Sequence, residues 1–295
     1  MAKSIVTQSD VIAATLARHG VEFVFGLPGG EISAFVCACR RAGLRFVLTG
    51  HESSAAIIAQ VMGEITGVPG VCAATLGPGA TNLATGVANA FLDRSPLLAI
   101  TAQIPAGAYE TMTHQRLALN DLFAPITKRS ASADGARTAE LICECLALAA
   151  APRPGPVHLS LASDIAIQEA RLESAGERHP EDSGRTGQIE TVLEKVEAAR
   201  RPLLLAGLGL PVEAAPALRR LVDALQAPFL VTPKAKGILR EDHPLFLGVA
   251  SGMAIDRDIL ETLRTADLIL AIGFDPVEAD KTWFADLNVA ALDAV

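Results

Sequence analysis

The chain has 295 residues, half of them apolar and a fifth charged, with a formal net charge of −8. That apolar content excludes a disordered chain, and the length suits two domains, each with its own core. The acidic balance and the lack of a polybasic run exclude nucleic acid as an expected partner.

The first residues, MAKSIVTQSD, hold no apolar signal core, and no apolar run is long enough to span a bilayer. A cytoplasmic protein without membrane contact is expected. Short apolar runs at 21–25, 46–48, 71–75, 97–101, 126–128 and 157–161 predict buried strands. Helical patterns at 11–19, 31–41, 53–65, 80–92 and 136–150 lie between them. Strands apolar on both faces, alternating with helices, predict mostly parallel sheets covered on both sides. The five cysteines form no disulfide framework, because the number is odd and Cys37/Cys39 and Cys143/Cys145 are two apart in helix-like segments. Buried free thiols are expected rather than zinc ligands, and no metal site is assigned.

Residues 168–187 are polar and lack aliphatic periodicity, as an interdomain linker does. Beyond them a helix at 189–199, a strand at 202–206, a helix at 212–225 and strands at 229–231 and 268–272 restart the rhythm. Residues 289–295 look like the start of another buried strand, so the second domain is expected to be incomplete at its C-terminus.

Two stretches carry candidate chemistry. Glu52 follows a strand and opens a helix, at the carboxyl end of the sheet where open α/β folds place ligands. Flanked by Ser53, Ser54, Ala55 and Ala56, it is expected to have little water around it and to share a proton with a ligand nitrogen. An exposed glutamate favoured by the helix dipole is the competing arrangement. In the second stretch, Thr75 to Asn82, a strand ends in Gly77-Pro78-Gly79 and opens onto a helix. Glycines there let the backbone approach a ligand, and free amides at the helix start donate hydrogen bonds. No Gly-Lys-Ser/Thr follows, so it is not a phosphate loop; an ordinary turn is the other reading.

Together these elements form an ordered pattern. His51-Glu52 is followed by a small-residue helix, by Thr66-Gly67 and Pro69-Gly70-Val71, by Gly77-Pro78-Gly79 with Thr81-Asn82 and Gly86, and by Asp93 and Pro96. This pattern resembles the pyrimidine-binding domain of thiamine-diphosphate-dependent enzymes of the acetolactate synthase type. Residues 20–30, Thr113-His114-Gln115, Pro125-Ile126-Thr127-Lys128 and the run 152–157 fit the same domain. Residues 190–280 resemble the family's central domain, notably at 201–207, Lys236-Gly237, 241–244 and 266–275.

The resemblance implies two successive three-layer αβα domains with mostly parallel sheets. These are a pyrimidine-binding domain at 1–167, the linker at 168–187 and a Rossmann-like central domain at 188–295. It implies that Glu52 hydrogen-bonds the cofactor's pyrimidine ring and promotes loss of the thiazolium C2 proton, after which a small 2-oxo acid is decarboxylated or condensed. Pro28, Gly29, Thr75, Gly77, Pro78 and Asn82 would bind thiamine diphosphate, with Gln115 toward the substrate. His51 and His114 fit a catalytic or a structural role equally, and Asp93 fits a helix-end residue.

Departures from the family's pattern also carry information. Glu64 stands where members commonly have Arg before Thr66-Gly67. The Gly-Asp-Gly and Asn-Asn segment that binds Mg²⁺ and diphosphate is missing, so Mg²⁺ is expected only with a further C-terminal domain. Alone, the chain is expected to be inactive; a homodimer or homotetramer, or a partner supplying that domain, would complete the site. A non-catalytic binding or partner subunit is the alternative. The run 248–254 differs from the usual flavin-contacting segment, which counts against FAD. Gly207-Leu208-Gly209 lacks the third glycine of a dinucleotide fingerprint, since Val212 stands there, which counts against NAD. Trp283 is expected to pack near the domain edge.

Overall fold

Parallel strands stripped of polar side chains can only be buried, and they dictate the architecture of both halves of this chain. A computed structural model describes residues 5–171, 186–253, 256–278 and 286–292, and it divides into two compact units, Met1–Glu181 and Asp182–Val295.

The first unit runs α1 (Gln8–Arg18), β1 (Phe23–Leu27), α2 (Ser33–Arg41), β2 (Arg45–Leu48), α3 (Glu52–Thr66), β3 (Gly70–Ala74), α4 (Pro78–Leu92), β4 (Leu97–Gln103), α5 (Leu119–Phe123), β5 (Arg129–Ser132), α6 (Thr138–Ala150), β6 (Pro156–Ala162) and α7 (Ser163–Ile167). Its strands pair in parallel in the order β2-β1-β3-β4-β6-β5. The central strands β3 and β6 are buried along their whole length, whereas the edges β2 and β5 are half exposed. One face carries Ile12, Leu16, Phe35 and Ile142 from α1, α2 and α6; the other carries Ala55, Ala59, Leu83 and Val87 from α3 and α4.

Small residues let α3 and α4 approach closely. A Cβ at Gly86 would lie 2.5 Å from Ala56 Cβ and 2.8 Å from the Ser53 carbonyl oxygen. Any larger residue at Gly86 would drive the middle of α4 away from the start of α3.

The second unit runs α8 (Thr186–Ala198), β7 (Pro202–Ala206), α9 (Ala215–Leu225), β8 (Phe229–Val231), β9 (Phe246–Val249), α10 (Arg257–Thr265), β10 (Leu268–Ile272) and β11 (Val289–Leu292). Its strands are parallel in the order β11-β10-β7-β8-β9. Both units are therefore α/β, with helices flanking parallel sheets, as the sequence predicts.

Several elements differ from expectation. The strand expected at 126–128 forms instead at Arg129–Ser132, because Pro125 opens a 3-10 turn over Ala124–Ile126 and Thr127 Oγ1 donates back to the Phe123 carbonyl at 2.7 Å. Strand β9 and helix α10 have no counterpart among the predicted elements; Gly248 interrupts β9 at φ 140°, and α10 buries Leu263 alone among its described residues. Of each cysteine pair one member is buried, Cys39 and Cys145, while Cys37 is exposed and Cys143 partly so. Residues two apart on a helix face different ways, so both cannot enter the core. Burial pushes the Cys39 thiol up to about 12 and the Cys145 thiol up to about 11. At 168–171 the backbone still belongs to the first unit: Gln8 N–H donates to the Gln168 carbonyl and Ala170 N–H to the Val6 carbonyl. The remainder of the expected linker to residue 185, Trp283, and residues 293–295 lie outside the described residues.

His158 in β6 is fully buried, stacked on the Phe123 ring at 4.1 Å between centroids. Its Nε2 pairs with Thr101 Oγ1 at 2.8 Å and its Nδ1 with Ser130 Oγ at 2.7 Å. Burial drives its pKa from 6.5 down to about 3. The unfolded chain thus binds a proton that the folded chain refuses, so stability from neutral His158 is complete above pH about 6.5 and is lost as pH falls toward 3. Thermal melts between pH 7 and pH 4 test this: the wild-type Tm should fall more steeply than that of His158→Gln. Parallel Tm–pH curves would remove His158 as a source of acid lability.

Candidate functional site

The carboxyl ends of β1 and β3 and the first turns of α3 and α4 converge on one carboxylate. After β2, Thr49 N–H donates to the Gly26 carbonyl at 3.0 Å and Thr49 Oγ1 to the His51 carbonyl at 3.0 Å, which turns the chain into α3. His51 caps the helix: its backbone is extended (φ −157°, ψ 147°), and its Nδ1 accepts from the Ser53 amide at 3.2 Å. Glu52 is therefore the first residue of α3, and its side chain points inward, with 5% exposure.

Two bonds tie this turn to α4. Asn82 Nδ2 donates to Glu52 Oε2 at 3.1 Å, and Ser53 Oγ donates to the Asn82 carbonyl at 2.6 Å. The second carboxylate oxygen, Oε1, accepts no hydrogen bond from the described residues and lies 3.3 Å from where a Cβ at Gly79 would stand. A buried carboxylate with one oxygen fixed and the other facing a glycine is a polar group with unused capacity, suited to a donor brought by a ligand.

The walls of this space follow from three more glycine contacts. A Cβ at Gly29 would meet Thr75 Oγ1 at 2.5 Å, and one at Gly79 would meet Thr75 Cγ2 at 2.7 Å. Thr75 thus stands between two backbone segments that cannot bear side chains. Gly77 adopts φ 59°, ψ −122°, and a Cβ there would lie 2.7 Å from Gln115 Cβ. Gln115 itself holds a left-handed φ of 56°, so Gly77 and Gln115 meet as two strained turns. Pro28 and Pro78 are exposed, and Pro78 occupies the first position of α4, where a missing N–H costs nothing.

Glu52, Asn82, Gly29, Thr75, Gly77 and Gln115 are therefore joined by direct neighbours. His51 stays outside as an exposed cap, and His114 lies in an exposed turn. Asp93 ends α4 and accepts from Gln60 Nε2 at 2.8 Å and Asn89 Nδ2 at 3.1 Å. It lies about 16 Å along the helix from Asn82, too far to act on the same group. Glu31 was not singled out in the sequence, yet its Oε2 accepts from Thr75 Oγ1 at 2.8 Å. Its place just after Gly29-Gly30, at the end of the opening strand, is the signal that could have found it. Among the described residues no group of three or more His, Cys, Asp or Glu is placed to hold a metal ion, and no helix is long and apolar enough to cross a membrane.

Gly77→Ala should lower folding stability by about 1–3 kcal/mol, since the alanine must adopt a conformation reserved for glycine. Pro78→Ala, at the next position, should cost less than about 1 kcal/mol. Urea titrations of the two variants compare them directly; equal losses would contradict the strain assigned to Gly77.

Comparison with known proteins gives two domain matches. Residues 6–122 match the description "Thiamine pyrophosphate enzyme, N-terminal TPP binding domain", and residues 189–292 match "Thiamine pyrophosphate enzyme, central domain". A "Probable acetolactate synthase large subunit" of Methanocaldococcus jannaschii is 34% identical over 94% of this chain and 49% of its own length. The "Acetolactate synthase" of Bacillus subtilis is 32% identical over 99% of this chain and 53% of its own length. A "Probable 2-ketoarginine decarboxylase" of Pseudomonas aeruginosa is 33% identical over 93% of this chain and 50% of its own length. The chain spans about half the length of the curated relatives it matches.

Proposed function

The chain belongs to the family of thiamine pyrophosphate enzymes, and from that membership we propose that its first unit holds the pyrimidine ring of thiamine diphosphate within an enzyme that decarboxylates or condenses small 2-oxo acids. The observation that carries this reading is the buried Glu52 carboxylate, held at Oε2 by Asn82 and without a partner at Oε1 among the described residues. Thiamine diphosphate, when bound, supplies an electron sink for breaking the bond beside a 2-oxo group. Glu52 Oε1 is the group that holds or yields a proton at the ring, while Asn82 fixes the carboxylate's orientation. Gly29 and Gly79 bring backbone against Thr75, and Gly77 brings it against Gln115; on this reading Pro28 and Pro78 join them around the cofactor. Gln115, packed on Gly77, stands toward the substrate.

Mg²⁺ requires hard oxygen ligands, part of them the diphosphate's own oxygens, and this reading assigns the protein's share to residues outside this sequence, in the same polypeptide or in a partner subunit. A homodimer or homotetramer suits that division. Ile57, Ile58, Val61 and Ile65 leave an apolar stripe exposed along α3, and such stripes mark surfaces that another protein element covers. Five free thiols, three of them in the core, suit the reducing cytoplasm.

Glu52→Gln tests the assignment in the enzyme that contains this chain and its diphosphate-binding domain. Deuterium exchange at the cofactor's C2 carbon, followed by NMR, should slow by about 10²–10⁴-fold, the usual worth of a positioned proton-transfer group. Circular dichroism should be unchanged. Exchange at the wild-type rate would remove Glu52 from this role and leave the chain as a binding subunit.

A further inference from the structure

The sheet of the second unit reverses its order between β7 and β10, with β8 and β9 on one side and β11 on the other. In open α/β sheets such a reversal opens a crevice where dinucleotides lodge, their pyrophosphate received by free amides of the glycine turn after the first strand. Gly207-Leu208-Gly209 occupies that turn here. Each of its amides is already engaged within the chain. Gly207 N–H donates to the Ile272 carbonyl at 2.9 Å, Leu208 N–H to Glu278 Oε2 at 2.9 Å, and Gly209 N–H to the Gly273 carbonyl at 2.8 Å.

The turns after β7 and β10 also touch. A Cβ at Gly207 would lie 2.4 Å from Phe274 Cα, and one at Gly273 would lie 2.7 Å from the Leu210 nitrogen. No helix opens at the glycine turn either, since Pro211 and a 3-10 turn at Val212–Ala214 delay α9 to Ala215. Electrostatics act in the same direction. Burial holds the Glu278 carboxyl above its ordinary value, and buried Asp275 nearby adds to that shift, so the crevice presents acidic groups where a pyrophosphate needs donors. Glu278 Oε1 and the fully buried Thr232 Oγ1 face one another there, and neither closes a hydrogen bond of ordinary length.

We propose that Glu278 is an internal occupant of the anion position at this crevice, so that the second unit carries neither a flavin nor a nicotinamide dinucleotide. The carboxylate takes the Leu208 amide that a phosphate oxygen would take, and the two glycine turns fill the remaining space. This does not depend on the role given to Glu52, which lies in the other unit.

The test uses the whole protein that contains this chain. FAD and NAD⁺, each added separately, should leave the Tm unshifted, and flavin fluorescence should stay unquenched. Hydrogen exchange should show the Leu208 and Gly209 amides protected. Glu278→Ala should bind inorganic pyrophosphate at least about tenfold more tightly than wild type, the effect expected from freeing one charge-assisted donor. Stoichiometric FAD or NAD⁺ on the wild-type protein would overturn the proposal. So would Leu208 and Gly209 amides exchanging at open-loop rates, a measurement that stands even where Glu278→Ala fails to fold. Unchanged pyrophosphate affinity in a folded Glu278→Ala variant would show that the glutamate occupies no anion site.

Discussion

The close approach of α3 to α4 is the constraint on which the first unit's chemistry rests. Ala56 and the Ser53 carbonyl face a helix that offers Gly86, and the contact leaves no room for an added methyl group. Only at that spacing does Asn82 reach Glu52, and only then does Ser53 reach the Asn82 carbonyl. Small residues thus do the work usually assigned to large ones: they set a distance rather than fill a volume. The same packing leaves Glu52 only 5% exposed, with no described residue bonded to Oε1, and a ligand donor there would meet a carboxylate largely withdrawn from solvent.

The two units put the same architectural feature to opposite use. In each, glycines follow the ends of parallel strands and bring backbone close to a carboxylate. In the first unit Gly79 holds space beside Glu52 Oε1, and Gly29 leaves Thr75 upright between two turns. In the second unit Gly207 and Gly273 close directly on the neighbouring turn, and Glu278 reaches an amide of the chain itself. A glycine turn alone therefore says nothing about whether a crevice is open. What decides is where its amides point and whether another part of the chain has reached them first.

Membership of the thiamine pyrophosphate enzymes places these observations in a shared scheme, and the relatives' names span a carboligation and a decarboxylation. The pyrimidine-side carboxylate is common ground for both reactions under the proposed reading. What separates one substrate from another falls to groups near the reacting carbon. Gln115, which the proposed reading sets toward the substrate, holds a left-handed backbone and lies against Gly77. Thr75, tied to Glu31, stands between Gly29 and Gly79.

The amino-acid sequence by itself determined the fold class and the place of Glu52. Strands that are apolar throughout, at Pro202–Ala206, Phe229–Val231 and Leu268–Ile272, are legible because a run with no polar face can go nowhere but the middle of a sheet. Strand β5, Arg-Ser-Ala-Ser, carries no such signal; it is a strand because β6 offers it a free edge. Glu52 was legible as a motif, since its helix start and glycine turn lie within thirty residues of each other. Tertiary structure alone decided the partners. Thr75 meets Glu31 across 44 residues, and Leu208 meets Glu278 across 70. Sequence fixes periodicity and local turns, but a hydrogen bond between distant residues exists only once the sheet has set the spacing of its strand ends.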